Sequence, residues 1–256
     1  MKTTIGFIGG GRITKIFLQG FQNAGLSFQS VKVFDPNADT LEKLATVFPQ
    51  IEKSETAAAA ASQQIVFLAV HPPVMMETLQ AIKNTVAESA VVVSLAPKIT
   101  LEKMASVLPT KKLVRMIPNA TSFISDGFNP VSFHPGMDKN EKKKILKLLK
   151  KLGKTFEIEE AKLEGYAIVS AMLPTYFWFQ WQEMEKIALE TGLSEKEAKK
   201  AVQQTLKKAW KLYYKSDLAP DEVMDLVPVK PIGENEAEIK NILNTKLLGL
   251  FGKIKP

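Results

Sequence analysis

The sequence has no cysteine and only two histidines among its 256 residues. The first absence excludes disulfides, thiolate metal centres and cysteine nucleophiles, and the second leaves little from which to build a metal cluster. No metal site is expected. Also missing is any long uncharged apolar run, alone or behind a basic stretch, so neither a secretory leader nor a membrane helix is expected. The expected setting is the cytoplasm. Low hydrophobicity is absent too: 45% of the residues are hydrophobic and 24% charged, enough for one large globular unit or two modest domains.

The formal charge of +7 raises the question of nucleic acid. The densest basic run, Lys139 to Lys154, answers it differently. Ile145, Leu146, Leu148, Leu149 and Leu152 recur there at the spacing of one helix face, with lysines opposite. Asp138 with Glu141 forms a candidate capping box, and Gly153 a C-cap. A solvated helix face accounts for the run, and no nucleic-acid partner is expected. The basic excess can still attract an anionic cofactor.

Short β-branched runs alternate with helical patterns from the start: Thr4 to Ile8, Val31 to Phe34, Gln64 to Val70, Ala90 to Leu95 and Lys112 to Ile117. This predicts a doubly wound, mainly parallel α/β sheet of Rossmann type. Pro130 to His134 and Lys154 to Ile158 can extend it. Beyond about residue 160 the pattern turns helical. Pro174 opens a helix through Phe177, Trp181, Met184 and Ala188, and Ser194 with Glu197 makes a second capping box. Shorter helical patterns start at Pro220 and Glu236. The expected division is a Rossmann domain over residues 1–158 and an all-helical domain over 159–256. The alanine run Ala57 to Ala61 sits in or beside a short helix.

Between the first strand and first helix stands Gly6-Phe7-Ile8-Gly9-Gly10-Gly11-Arg12-Ile13-Thr14. In that context Gly9 permits the tight turn and Gly11 lets backbone approach a pyrophosphate. The helix N-terminus, at Arg12 and Ile13, directs amides and a positive dipole end at it. The third glycine position is Thr14, which predicts looser strand-to-helix packing. Asp35 ends the second strand, where a carboxylate can bond adenosine ribose hydroxyls and repel a 2′-phosphate, favouring NAD over NADP. Followed by Pro36 and Asn37, it is equally placed to cap a turn.

The stretches Gly6 to Thr14, Phe67-Leu68-Ala69-Val70-His71-Pro72 and Val114-Arg115-Met116-Ile117-Pro118-Asn119 resemble, in order and spacing, three signatures of the pyrroline-5-carboxylate reductase family. The resemblance implies a two-domain dehydrogenase whose helical half forms a homodimer. It implies that Ala69, Val70, His71 and Pro72 lie against ribose and pyrophosphate, and that Asn119 lies beside the nicotinamide, with Ser94 and Ala96 bordering the same crevice. The family usually has lysine where this chain has His71, so His71 reads as a polar contact to the cofactor before it reads as a proton donor. Arg115 can meet an anion or a structural carboxylate.

Two loops depart from the family. Ser170-Ala171-Met172-Leu173-Pro174-Thr175-Tyr176 keeps Ser170, Pro174 and Tyr176 but replaces two glycines of a turn that holds the substrate carboxylate. Val229-Lys230-Pro231-Ile232-Gly233-Glu234-Asn235 puts Glu234 about where a family threonine would meet it. Glu234 then faces a cationic or neutral substrate, or lies at the surface, while Lys230 turned inward can restore anion binding. The candidate substrate-facing residues are Asn119, Ser170, Tyr176 and Glu234. The expected function is hydride transfer between NAD or NADP and a small imine or carbonyl compound. The competing reading is a non-catalytic dinucleotide-binding or sensing protein. The aromatics Phe177, Trp178, Phe179, Trp181, Tyr213 and Tyr214 exceed what one small core needs and independently suggest a homodimer.

Overall fold

A computed structural model describes residues 3–256. One sheet of eight strands organises the first part, in the order β3-β2-β1-β4-β5-β6-β7-β8. The strands are β1 (Thr4–Ile8), β2 (Ser30–Phe34), β3 (Glu52–Lys53), β4 (Ile65–Leu68), β5 (Val91–Ser94), β6 (Leu113–Met116), β7 (Gly127–Phe133) and β8 (Gly153–Glu157). All pairings are parallel except β6 with β7, so the fold is the mainly parallel doubly wound sheet that the alternating runs predict.

The central strands read as unbroken apolar runs because helices cover both faces. Their period of two sends Phe7, Phe67, Val93 and Val114 into one core layer, beneath α1 (Arg12–Asn23), α2 (Ala38–Val47) and α6 (Lys139–Leu149). The alternate residues Ile8, Val66, Leu68, Val92 and Leu113 enter the other, beneath α3 (Ala57–Ala61), α4 (Pro72–Ile82) and α5 (Leu101–Ala105). Phe67 stacks on Phe7 at 4.7 Å and meets Phe17 edge-on at 5.5 Å. Burying such a ring stabilises the fold by roughly 2–3 kcal/mol. The alanine run is α3, and its small side chains let it lie directly on the sheet: a Cβ on Gly6 would stand 1.9 Å from the Ala60 carbonyl oxygen.

Asp138 caps α6 by accepting the Asn140 and Glu141 amides at 2.8 and 3.1 Å. These bonds hold the Asp138 carboxyl below its ordinary pKa, the Glu141 amide contributing most. The other half of the predicted box is not seen, because the Glu141 carboxylate turns to Lys144 at 3.0 Å and Lys112 at 4.0 Å. Gly153 (φ 124°) is not an α-helical C-cap: a 3-10 turn, Lys150–Leu152, follows the helix, and Gly153 opens β8.

Two compact units emerge. The first runs through Ala171, past the boundary expected at 158, and includes Leu250–Pro256. The continuation contains α7 (Leu163–Tyr166), with Leu163 and Glu164 buried, and a π-helical turn, Ala167–Ala171. The second unit, Met172–Gly249, holds α8 (Leu173–Glu190), α9 (Glu195–Lys215), α10 (Pro220–Asp225) and most of α11 (Glu236–Ile254). Here the Ser194–Glu197 box is complete, with the Glu197 carboxylate accepting the Ser194 amide at 2.9 Å. Among the described residues no helix is long and apolar enough to cross a membrane.

Candidate functional site

β1 delivers its chain into a turn at the carboxyl edge of the sheet. Gly9 takes φ +102°, a conformation costly for any residue with a Cβ, and its added Cβ would stand 2.5 Å from the Ala69 carbonyl oxygen. Gly11 is the N-cap of α1, where a Cβ would meet nothing within 4 Å. No side chain caps this helix, so its first-turn amides open onto free space. Thr14, where looser packing is predicted, is fully buried, and its hydroxyl donates to the Gly9 carbonyl at 2.5 Å. That bond ties the first helical turn to the strand end.

A cleft of about 680 Å³ lies over this turn. It is lined by Gly10 and Gly11 of the turn, by Arg12, Ile13, Lys15 and Ile16 of α1, by Thr40, Lys43 and Leu44 of α2, and by Ala69 and His71 after β4. Arg12, Lys15 and Lys43 border it and no carboxylate does, which suits an anion. The expected residues Gly11, Arg12, Ile13, Ala69 and His71 therefore converge on one space. Val70 and Pro72 flank His71, Pro72 as the first residue of α4 and His71 as its N-cap without a side-chain bond.

Asp35 is half-buried beside the glycine turn. Its carboxylate accepts the Gly10 amide at 2.7 Å and the Asn37 amide at 2.9 Å. It thus caps its own turn and braces the phosphate-binding turn, with lone pairs remaining for a ribose hydroxyl. A dinucleotide fits this set: Gly11 leaves room for a pyrophosphate, the α1 amides point into that room, and Asp35 stands at the adjoining strand end.

Ser94 is fully buried, its hydroxyl accepting the Ala96 amide at 3.5 Å, so it shapes the loop after β5 from within. Asn119 follows β6 and is also buried. Its carbonyl oxygen accepts the Thr121 amide at 3.0 Å and hydroxyl at 2.8 Å, and its NH₂ donates to the Ser170 carbonyl at 3.2 Å and hydroxyl at 3.4 Å. Asn119 and Ser170, 51 residues apart, are therefore brought together. Ser170 lies in the π-helical turn, a distortion frequent at functional sites.

Tyr176 and Glu234 belong to the second unit. Tyr176 is half-buried at the start of α8, where burial pushes its phenol pKa up. It lines a groove of about 500 Å³ with Phe179, Ile239, Ile242, Leu243 and Lys246. Glu234 is exposed in a 3-10 turn, Gly233–Asn235.

Arg115 meets structural carboxylates. It is 1% exposed; its Nη1 donates to Glu160 at 2.9 Å and its Nη2 to Glu164. Neither glutamate was foreseen from the sequence: Glu160 opens a 3-10 turn, Glu160–Lys162, and Glu164 lies in α7 just after it. Lys15 also escaped notice, one turn beyond Arg12 on α1.

Residues 4–98 match the family model described as "NADP oxidoreductase coenzyme F420-dependent". The chain is 24% identical to the pyrroline-5-carboxylate reductase of Corynebacterium melassecola over 253 residues, covering 97% of this chain and 93% of that one. It is 26% identical to the Escherichia coli reductase over 230 residues, 89% and 85% of the two chains. Among solved structures, a Plasmodium falciparum pyrroline carboxylate reductase with NADP bound superposes with a TM-score of 0.77 at 19% identity, covering 98% and 96%. The Coxiella burnetii pyrroline-5-carboxylate reductase gives 0.70 at 22%, covering 99% and 95%. The chain is similar to pyrroline-5-carboxylate reductases along almost its whole length.

Proposed function

We propose that the protein is an NAD(P)-dependent oxidoreductase of the pyrroline-5-carboxylate reductase type, moving a hydride between the coenzyme and a small imine or carbonyl compound. The observation that carries this reading is the uncapped N-terminus of α1, opening at Gly11 into a cleft bordered by cations. The amides of Gly11, Arg12 and Ile13 hold the pyrophosphate, Asp35 holds the adenosine ribose and favours NAD, and Ala69 to Pro72 with His71 flank the phosphates. Bound there, the nicotinamide supplies the reducing hydride.

The rest is positioning. Asn119 and Ser170, fixed to one another, form the polar wall of the crevice beyond β6. Tyr176 and Glu234 are the substrate-facing residues proposed for the helical unit, Tyr176 keeping its proton at neutral pH. That unit pairs with a second copy of the chain, since its helices expose Phe177, Trp178, Phe179, Trp181, Tyr213 and Tyr214.

The test is calorimetric titration with NADH and NADPH, followed by coenzyme oxidation assays on a panel of small cyclic imines and 2-oxo acids. Micromolar coenzyme binding with imine- or carbonyl-dependent oxidation is expected. Binding without turnover on any of them would favour a sensing protein, and no binding of either coenzyme would end the Rossmann reading of the cleft.

A further inference from the structure

Backbone strain marks the loop after β5. Among the described residues only two that are not glycine take a positive φ, Ser125 at 59° and Lys98 at 81°. A lysine gains nothing from that conformation, which glycine adopts freely, so the surroundings must enforce it. They do so through charge. The Glu164 carboxylate accepts the Lys98 amide at 3.1 Å, and the Glu160 carboxylate accepts the Leu101 amide at 2.7 Å. The same two carboxylates grip the buried Arg115 guanidinium. The turn is thus pinned on a network that contains one guanidinium and two carboxylates.

The side chain held in this way is itself uncommitted. Lys98 is exposed and forms no ion pair among the described residues. Its place in the fold is specific: four residues beyond Ser94, the last residue of β5, at the carboxyl edge of the sheet. Strand order sets β5 between β4, whose end supplies Ala69 and His71 to the cleft, and β6, which leads to Asn119. Open α/β sheets bind their ligands beyond this edge. The phosphate-binding turn follows β1, two strands from β5 and so roughly 10 Å away at ordinary strand spacing. A cation two strands along is placed for the second reactant, not for the pyrophosphate.

We propose that Lys98 determines substrate specificity by binding a carboxylate on the imine or carbonyl compound, the Arg115–Glu160–Glu164 network serving to hold it in position. This inference rests on the hydride-transfer reading above. It gives the site an anion-binding group outside the two loops whose departures from the reductase family disfavour one. A purely structural alternative is that Lys98 merely offsets the excess negative charge of the network.

Three variants separate these. Lys98→Gly removes the ammonium and relieves the positive φ, Lys98→Met removes only the charge, and Lys98→Arg keeps it. The coenzyme-loaded protein is titrated with pyruvate and 2-oxobutyrate, each beside its uncharged amide. At least one carboxylate is expected to bind tenfold or more tightly than its amide. Lys98→Gly and Lys98→Met should lose that preference, Lys98→Arg should keep it, and coenzyme affinity should be unchanged throughout. Lys98→Met, which removes the charge without relieving the positive φ, should melt no lower than the parent, whereas a charge-offset role requires it to melt lower. Retained carboxylate preference in Lys98→Gly, no preference in the parent, or a parallel loss of coenzyme affinity would overturn the proposal while leaving coenzyme binding as support for the wider reading. A parent protein that binds neither coenzyme would remove both.

Discussion

Phe67 and Phe179 both sit in well-formed secondary structure, yet Phe67 is wholly buried and Phe179 is 65% exposed. The contrast extends to their units. The strands β4, β5 and β6 bury every residue they have, whereas α8, α10 and α11 bury none and α9 buries only Ala198. The first unit closes its own core between helices on both sheet faces. The second leaves Trp178, Trp181, Tyr213 and Tyr214 in water, an expense that a second copy of the chain would remove.

The largest expected effects test this difference. Phe67→Ala should destabilise the first unit by about 3–5 kcal/mol, because the ring contacts of Phe7 and Phe17 are lost around a rigid cavity. Chemical denaturation should show the same loss at every protein concentration. Phe179→Ala should behave otherwise, with a stability change that grows as the protein is concentrated. Light scattering at micromolar concentration is expected to report a dimer. A monomer there, with Phe179→Ala neutral at all concentrations, would show that the aromatic faces have no partner.

Next in size is the reduction of pyrroline-5-carboxylate itself. By the resemblance, the segment Ser170 to Tyr176 replaces with bulkier residues two glycines of a turn that holds the substrate carboxylate, and the exposed Glu234 brings a negative charge to the second loop. Like charges within about 4 Å in a partly desolvated site repel by several kcal/mol, so a substrate whose carboxylate must sit against those two loops, and not at Lys98, should turn over orders of magnitude below the roughly 10 per second of an ordinary enzyme. A steady-state assay with each reduced coenzyme measures this. Turnover near the ordinary value would mean that the altered loops still form the family's carboxylate site.

Gly11→Asp probes the first unit where its chemistry, not its core, is at stake. An added Cβ meets nothing within 4 Å, so the fold should persist, while a carboxylate enters the space reserved for pyrophosphate. Coenzyme affinity should drop at least 100-fold, about 2.7 kcal/mol. A folded variant with parental affinity would remove the Rossmann assignment of the cleft.

Legibility followed the same division between local and distant. The seven longer strands, the glycine turn and the Ser194–Glu197 box are written in consecutive residues and could be read from them. The eighth strand, Glu52–Lys53, is two exposed charged residues at a sheet edge and carries no apolar signal. Asn119 with Ser170, and Arg115 with Glu160 and Glu164, are meetings of residues 45 to 51 positions apart, which only tertiary packing arranges. The strain at Lys98 was hidden for another reason. A positive φ is signalled in sequence by glycine or asparagine, and here charges on other elements impose it on a lysine.

The smallest expected effect concerns the choice between coenzymes, and it turns on what Asp35 is for. Its carboxylate already serves two backbone amides, those of Gly10 and Asn37, which accounts for its presence without any ligand. A carboxylate has about four acceptor sites, so two bonds do not exhaust it, and its charge would still oppose a 2′-phosphate. Against it stand Arg12, Lys15 and Lys43, which border the cleft as Asp35 does not, and whose attraction for a phosphate partly cancels that opposition. The parent protein should therefore prefer NADH modestly. Asp35→Asn keeps an oxygen able to accept one of the two amides while removing the charge, so the turn should survive and the preference should move toward NADPH by about tenfold, or 1.4 kcal/mol. Calorimetric titration of both coenzymes into both proteins measures the ratio directly. If NADPH is preferred tenfold by the parent and the substitution leaves that ratio unchanged, Asp35 is a turn-capping residue alone, and the three cations decide the coenzyme.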